Sequence, residues 1–342
     1  MILSVSMAFL TGVPNFSGKR PAFCVILGNT LLSTIPGISG AGPTPEQTLL
    51  TPNLDAELVT NGRIANPDIK PNTPTGCPTP ATITRAMIEL TGIAPVFINA
   101  GLHNPLTVPY LDALGSVGND PRTGDAIPRA HQIFSQGRNI GKILSGMGDL
   151  LILGECVPGG TTTALCVLRA LGYPAAVSSS FVDNPRDQKE RICREVLTGL
   201  TPEMRRDPLA IVQRVGDPMI PVAVGIASTY SGTLVLAGGT QMLAVCGVIK
   251  AMNGRLPSVA TTVYVRDDGS ANVQELADMM GVTVYYVDPT FGELGHDGLA
   301  RYCTGEVKEG TGAGGAMFMA SVMGFTPEQI KDKIYNTVLA YR

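Results

Sequence analysis

Residues 305–315 read GEVKEGTGAGG, an acid, Glu309, at the mouth of a stretch that is mostly glycine. Glycines let backbone amides approach a ligand, and Gly310-Thr311-Gly312-Ala313-Gly314-Gly315 has the composition of a nest for phosphate or ribose, followed by a helix expected from near Ala316. A carboxylate beside closely packed backbone is desolvated in its ionised form, which raises its pKa and suits it to general-base chemistry near neutral pH. By its type alone Glu309 reads rather as a solvated surface acid next to Lys308, and only its context favours the other reading. A second glycine turn lies in DLLILGECVPGGTTTALCVLRALGYP, residues 149–174. There a short apolar run delivers Glu155, Gly159 and Gly160 turn the chain, and Thr161 and Thr162 open a helix whose free amides would bind an anion. An ordinary capped turn has the same appearance.

Neither turn is a familiar nucleotide loop. The first formally contains GxGxxG, but CTGEVKE before it is no buried strand and the residues after 315 leave little room for a dinucleotide βαβ unit. The second lacks the GKS or GKT of a Walker A loop.

The elements that would position these residues repeat one grammar. FCVILGN (23–29), PVFINAG (95–101), DLLILGE (149–155), TLVLAGG (233–239) and VTVYYVD (282–288) are short apolar runs ending in Gly, Asn, Asp or Glu. Helix-like segments lie at 45–60, 80–91, 161–171, 187–198, 240–252 and 326–340. This predicts an α/β protein with a mainly parallel sheet, helices on both faces in Rossmann-like layers, and a smaller helical part from the chain termini. Ligands would gather beyond the carboxyl ends of the strands. The charge-free stretch 218–249 breaks into PVAVGIAS, GTLVLAGG and TQMLAVCGVI, so it reads as an apolar run, a turn, a short β-like strand, a glycine pair and a helix rather than a membrane span. The opening MILSVSMAFLTGVP has no basic n-region and reads as a first strand rather than a signal peptide. The proline-rich region 35–80 is expected to loop over one end of the sheet.

Composition narrows the function. With 342 residues, 44% apolar and 15% charged, the chain can bury a large core, and no repeat or interdomain linker is visible, so 1–342 reads as a single domain. A net charge of −3 with scattered basic residues excludes the footprint of a nucleic-acid binder. Seven cysteines without a CxxC pair, and three histidines, suggest buried thiols in a reducing cytoplasm rather than a disulfide frame or a metal site.

The order GE, G-x-TT at mid-chain, then EG[ST]GA resembles the nicotinate-nucleotide dimethylbenzimidazole phosphoribosyltransferase family. DPLAIVQRVGDP (207–218) looks like its DPL…VGG segment, TLVLAGG takes the place of its strand ending in DGF, and ELGHDGL (293–299) looks like its EPGH segment. The similarity covers roughly 145–325, which would be the nucleotide-binding core; the first 140 residues look like the divergent archaeal and cyanobacterial branch. The resemblance implies transfer of a 5-phosphoribosyl group from nicotinate mononucleotide to a benzimidazole or purine base, giving nicotinate and the α-riboside 5′-phosphate of the cobamide lower ligand. It implies Glu309 as the base, Glu155 as a nucleotide contact or second carboxylate, and Gly159, Gly160, Thr161, Thr162, Gly310, Thr311 and Gly312 around the phosphate. Arg191 stands where the family has a phosphate-meeting lysine, with Lys189 two residues away.

By the same resemblance no metal or redox cofactor is required and a homodimer is expected, while the charge distribution and the punctuation of 218–249 speak against nucleic acid and membrane as partners. The chain departs from the family's pattern at Cys156-Val157-Pro158, at Gly160, and at Ala237-Gly238-Gly239, where an aspartate is lost. His296 follows the family and is open to a structural or a catalytic role. Two other readings stand beside this one: a nucleotide hydrolase, which would need a metal and clustered aspartates, and a non-catalytic nucleotide or lower-ligand binder.

Overall fold

PAFCVILG carries two apolar sets, and the fold uses both. In the computed structural model, which describes residues 8–12, 14, 16 and 18–341, it forms β1 (Pro21–Gly28). Cys24 and Ile26 belong to one hydrophobic core, and Phe23, Val25 and Leu27 to the other. A strand covered on both faces has no polar side, so it reads as a continuous apolar run. The remaining strands are β2 (Pro95–Gly101), β3 (Tyr110–Asp112), β4 (Leu150–Cys156), β5 (Thr233–Ala237), β6 (Ser258–Thr262) and β7 (Val284–Val287). All pairs are parallel, in the order β3-β2-β1-β4-β5-β6-β7. The chain runs outward from β1 through β2 to β3, then returns to the other side of β1 with β4. That reversal opens a crevice beyond the carboxyl ends of β1 and β4.

Between β1 and β2 lie α1 (Pro45–Asn61) and α2 (Pro80–Thr91), and α3 (Ala130–Leu144) precedes β4. From β4 to β6 come α4 (Gly160–Ala170), α5 (Arg186–Leu197), α6 (Pro208–Val215), α7 (Met219–Thr229) and α8 (Thr240–Ala251). The short α9 (Val263–Arg266) and α10 (Val273–Met280) lead to β7, and α11 (Asp297–Ala300), α12 (Ala313–Val322) and α13 (Pro327–Leu339) follow it. Helices α3 to α8 and α10 bury their apolar residues in one core, and α1, α2, α12 and α13 in the other. The second layer thus combines helices from both ends of the chain, as expected.

Three readings are sharpened, corrected or left aside. The apolar run PVAVGIAS is part of α7. Asp217 accepts hydrogen bonds from the amides of Met219 (3.0 Å) and Ile220 (3.3 Å) at its start, and Gly225 allows the close crossing with α3, where a Cβ would lie 2.3 Å from the Phe134 carbonyl oxygen. A helix apolar all round is a buried helix. Helix α12 begins at Ala313, three residues before the expected start, because Gly314 and Gly315 are packing positions inside its first turn. The opening stretch lies largely outside the described residues, of which Leu10 makes an antiparallel bridge to Val287. Among the described residues no helix is long and apolar enough to cross a membrane.

The glycines of α12 make a direct prediction. A Cβ at Gly315 would stand 2.2 Å from Ala237 Cβ and 2.9 Å from Ile152 Cγ2, so the helix must lift from the sheet. Gly315→Ala should cost about 1–3 kcal/mol in urea denaturation. Gly269→Ala, where nothing lies within 4 Å, should stay within about 0.5 kcal/mol of the unsubstituted chain. Equal midpoints for the two variants would refute this packing.

Candidate active site

The crevice is walled by the strand ends and roofed by the proline-rich region. Residues 38–41, Thr73, Thr79 and Pro80 line it together with Asp55, Glu155, the turn 157–161, Gln241 and residues 307–311. Region 35–80 does cover one end of the sheet, but it does so with α1 as well as with loops.

Glu155 sits at the end of β4 and is 4% exposed. Its Oε2 accepts from the Val157 amide (3.1 Å) and from Gln241 Nε2 (2.8 Å), and its carbonyl accepts from the Thr311 amide (3.0 Å). The last bond joins the two glycine turns singled out in the sequence. Burial, with the charges of Asp217 and Glu309 nearby, pushes the Glu155 carboxyl up to about 8.

Glu309 is held by the start of α12. Oε1 accepts from the amides of Gly310 and Gly314, both at 3.1 Å, and Oε2 from the Gly314 amide and Thr261 Oγ1, both at 3.2 Å. Burial raises it to about 7, against these donors, which favour its charge. The approach to it is strained. Val307 and Lys308 have φ of 67° and 64°, left-handed values uncommon outside glycine and, for the β-branched Val307, a genuine outlier. Lys308 Nζ holds this stretch by donating to the carbonyls of Ser179 (2.8 Å) and Phe181 (3.2 Å) and pairing with Asp268 (3.3 Å).

A third carboxylate, which the sequence did not single out, completes the cavity. Asp55 of α1 is 7% exposed. Its Oδ2 accepts from Thr311 Oγ1 (2.5 Å) and Cys156 Sγ (3.3 Å), while Oδ1 has no partner among the described residues. Burial pushes it up to about 6. Asp55 therefore presents a free lone pair to the cavity, whereas both oxygens of Glu309 are engaged.

At the other end is a turn that could hold an anion. Gly159, with φ of 77°, turns the chain into α4, and the Gly159 and Thr161 amides donate to no described backbone group. Beside them Lys189 is 1% exposed and donates from Nζ to Thr161 Oγ1 (3.0 Å) and the Ser178 carbonyl (2.8 Å), which leaves one of its three protons unused. Burial, with the Lys308 charge nearby, lowers it to about 7, so an arriving anion would restore its charge.

The structure thus brings Glu155, Gly159, Gly160, Thr161, Glu309, Gly310 and Thr311 to one cavity. It does not bring the rest. Arg191 is exposed on the outer side of α5, and the buried cation is Lys189. Thr162 is buried inside α4 away from the cavity lining, and Gly312 packs against Gly154, where a Cβ on either would meet the other's backbone. His296 accepts from the Leu299 amide (3.2 Å) as the cap of α11 and does not line the cavity. Among the described residues no group of three or more His, Cys, Asp or Glu is arranged to hold a metal ion, and all seven cysteines are free thiols.

Helical spacing could have separated Lys189 from Arg191, because Lys189, Ile192, Cys193 and Val196 form the buried stripe of α5. Gln241 follows an apolar run and a glycine pair, which is itself a strand-end signal.

Comparison with solved structures defines the class of fold. A nicotinate-nucleotide-dimethylbenzimidazole phosphoribosyltransferase from Thermus thermophilus superposes with a TM-score of 0.63 at 16% identity, over 92% of this chain and 83% of that one. CobT from the same organism gives 0.62 at 16% identity, over 92% and 84%. No family model matches the chain. The UPF0284 protein of Methanosarcina mazei is 42% identical over 328 residues, covering 93% of this chain and 94% of that protein. The UPF0284 protein of Methanothermobacter thermautotrophicus is 39% identical over 354 residues, covering 97% and 96%. The chain belongs to the UPF0284 family.

Proposed function

We propose that this protein transfers the 5-phosphoribosyl group of nicotinate mononucleotide to a ring nitrogen of a benzimidazole or purine base. The products would be nicotinate and an α-riboside 5′-phosphate. The observation that carries this reading is the spacing of charge around one cavity: a buried ammonium behind the glycine turn, bonded to the lining residues Thr161 and Ser178, at one end, and a desolvated carboxylate with a free oxygen at the other. The fold shared with the Thermus phosphoribosyltransferases supports it.

Phosphate binds at the amides of Gly159 and Thr161 and at Lys189. This anchors the donor and sets its C1′ toward α1 and the 309–311 loop. The acceptor enters between Pro80, Thr79 and Asp55. A carboxylate takes the N–H proton of the azole, the nitrogen lone pair attacks C1′ from the α face, and the C1′–N bond to the pyridinium breaks with its electrons neutralising the ring. The leaving group is already a cation, so the protein needs chiefly a base and a well-held nucleotide. Two carboxylates of the cavity lining, Asp55 and Glu155, keep an oxygen free among the described residues, and Asp55, beside Thr79 and Pro80 where the acceptor enters, is assigned as that base. Glu309 then has a positioning role, fixing the first turn of α12 and through Thr311 the Asp55 carboxylate.

The test is incubation of purified protein with nicotinate mononucleotide and, separately, dimethylbenzimidazole or adenine, following nicotinate and α-riboside phosphate by chromatography and mass. Base-dependent nicotinate release is the expected result. Nucleotide binding by calorimetry with no release for any base would overturn the reaction and leave a binding protein.

A further inference from the structure

We propose that Gln241 is a donor-specificity residue which, together with Glu155, holds the vicinal hydroxyls of the ribose. This rests on the phosphoribosyl reading above and adds to it a residue and a discriminating group.

Gln241 is the second residue of α8, directly beyond β5, and it lines the cavity. Its orientation is fixed by chemistry. Nε2 lies 2.8 Å from Glu155 Oε2 and 3.5 Å from the Val157 carbonyl oxygen, two acceptors that only the amide nitrogen can serve. The carbonyl Oε1 of Gln241 consequently points its lone pairs elsewhere, and it has no partner among the described residues. Glu155 Oε1 has none either, and that side chain is nine-tenths buried. Two cavity-lining oxygens on hydrogen-bonded neighbours are thus left for a ligand.

Gly160 shows that this arrangement is built. A Cβ there would stand 2.1 Å from Gln241 Nε2 and 2.7 Å from its Cδ, so the glutamine crosses the phosphate turn only because position 160 has no side chain. The pair therefore sits against the turn that takes the phosphate, on the path between it and Asp55. In a 5-phosphoribosyl donor that path is occupied by the ribose. Its 2′ and 3′ hydroxyls are neighbours and can each donate or accept, which matches two adjacent oxygens.

The experiment compares nicotinate mononucleotide with its 2′-deoxy and 3′-deoxy forms, by calorimetric Kd and by KM, on the unsubstituted protein and on Gln241→Ala. Gln241→Met, close in length, serves if the alanine variant fails to fold. On the unsubstituted protein, removing a hydroxyl held by the pair should weaken donor binding about tenfold, the worth of one hydrogen bond. On the variant, one of the two penalties should vanish. A residue that only orients Glu155 would leave both penalties in place, and that result overturns the assignment. So does the absence of a penalty for both deoxy donors on the unsubstituted protein. Donor binding without transfer would sink the proposed reaction while the Kd comparison still decides the role of Gln241; no donor binding at all would sink both.

Discussion

Asp55→Asn should lower phosphoribosyl transfer by about 10²–10⁴-fold, the usual worth of a positioned general base. The change keeps shape and volume, and the fold should survive it. Asp55 must be ionised to accept a proton, and burial places its titration at about 6, so kcat/KM of the unsubstituted protein should rise with pH through that value. The rise should be lost in Asp55→Asn. Glu309→Gln should behave differently. In either orientation of the side-chain amide its NH₂ faces the Gly314 amide, which bonds both oxygens of Glu309, donor against donor, and so it destabilises the loop by about 1–3 kcal/mol, visible as a lower denaturation midpoint. Full activity in Asp55→Asn, with inactivity of a normally stable Glu309→Gln, would return the base's role to Glu309.

Lys189→Met should weaken donor binding by about 10- to 100-fold, the range for a hydrogen bond to a charged group. Arg191→Met, on the outer side of the same helix, should change it by no more than about twofold. The pH dependence carries its own sign. In the free protein Lys189 loses its proton as pH rises through about 7, while a phosphate monoester, with its second pKa near 6, stays dianionic above that. Donor affinity should therefore fall as pH rises above about 7, and Lys189→Met should abolish the dependence. A larger effect at Arg191 than at Lys189 would move the phosphate site off the glycine turn.

Much of this arrangement was written in local pattern. Five apolar runs with turn residues at their ends proved to be strands, and the rule that ligands gather beyond strand ends led to Glu155 and the 157–161 turn. Strand β6, SVATT, escaped because its buried threonines make no apolar run, and three-residue β3 is too short for a pattern. Helix α7 is not legible as a helix because its uniform hydrophobicity has no period to distinguish helix from strand. Asp55 could not be found this way. In TPNLDAELV it is one acid on a helix, and what marks it as a candidate is a partner brought to it by tertiary folding.

That partner has a kinetic consequence. The hydrogen bond between Asp55 and Thr311 joins positions 256 apart in the chain. Contacts of such long sequence separation carry a large loop-closure cost and form late when a chain folds. A nascent chain halted before α12 could pair β1, β2 and β4, yet it would lack the 309–311 loop and with it the wall that faces α1. Recovery of transfer after dilution from urea should therefore trail the recovery of helical circular dichroism. Catalysis in this protein would then report completion of the whole topology rather than of any part.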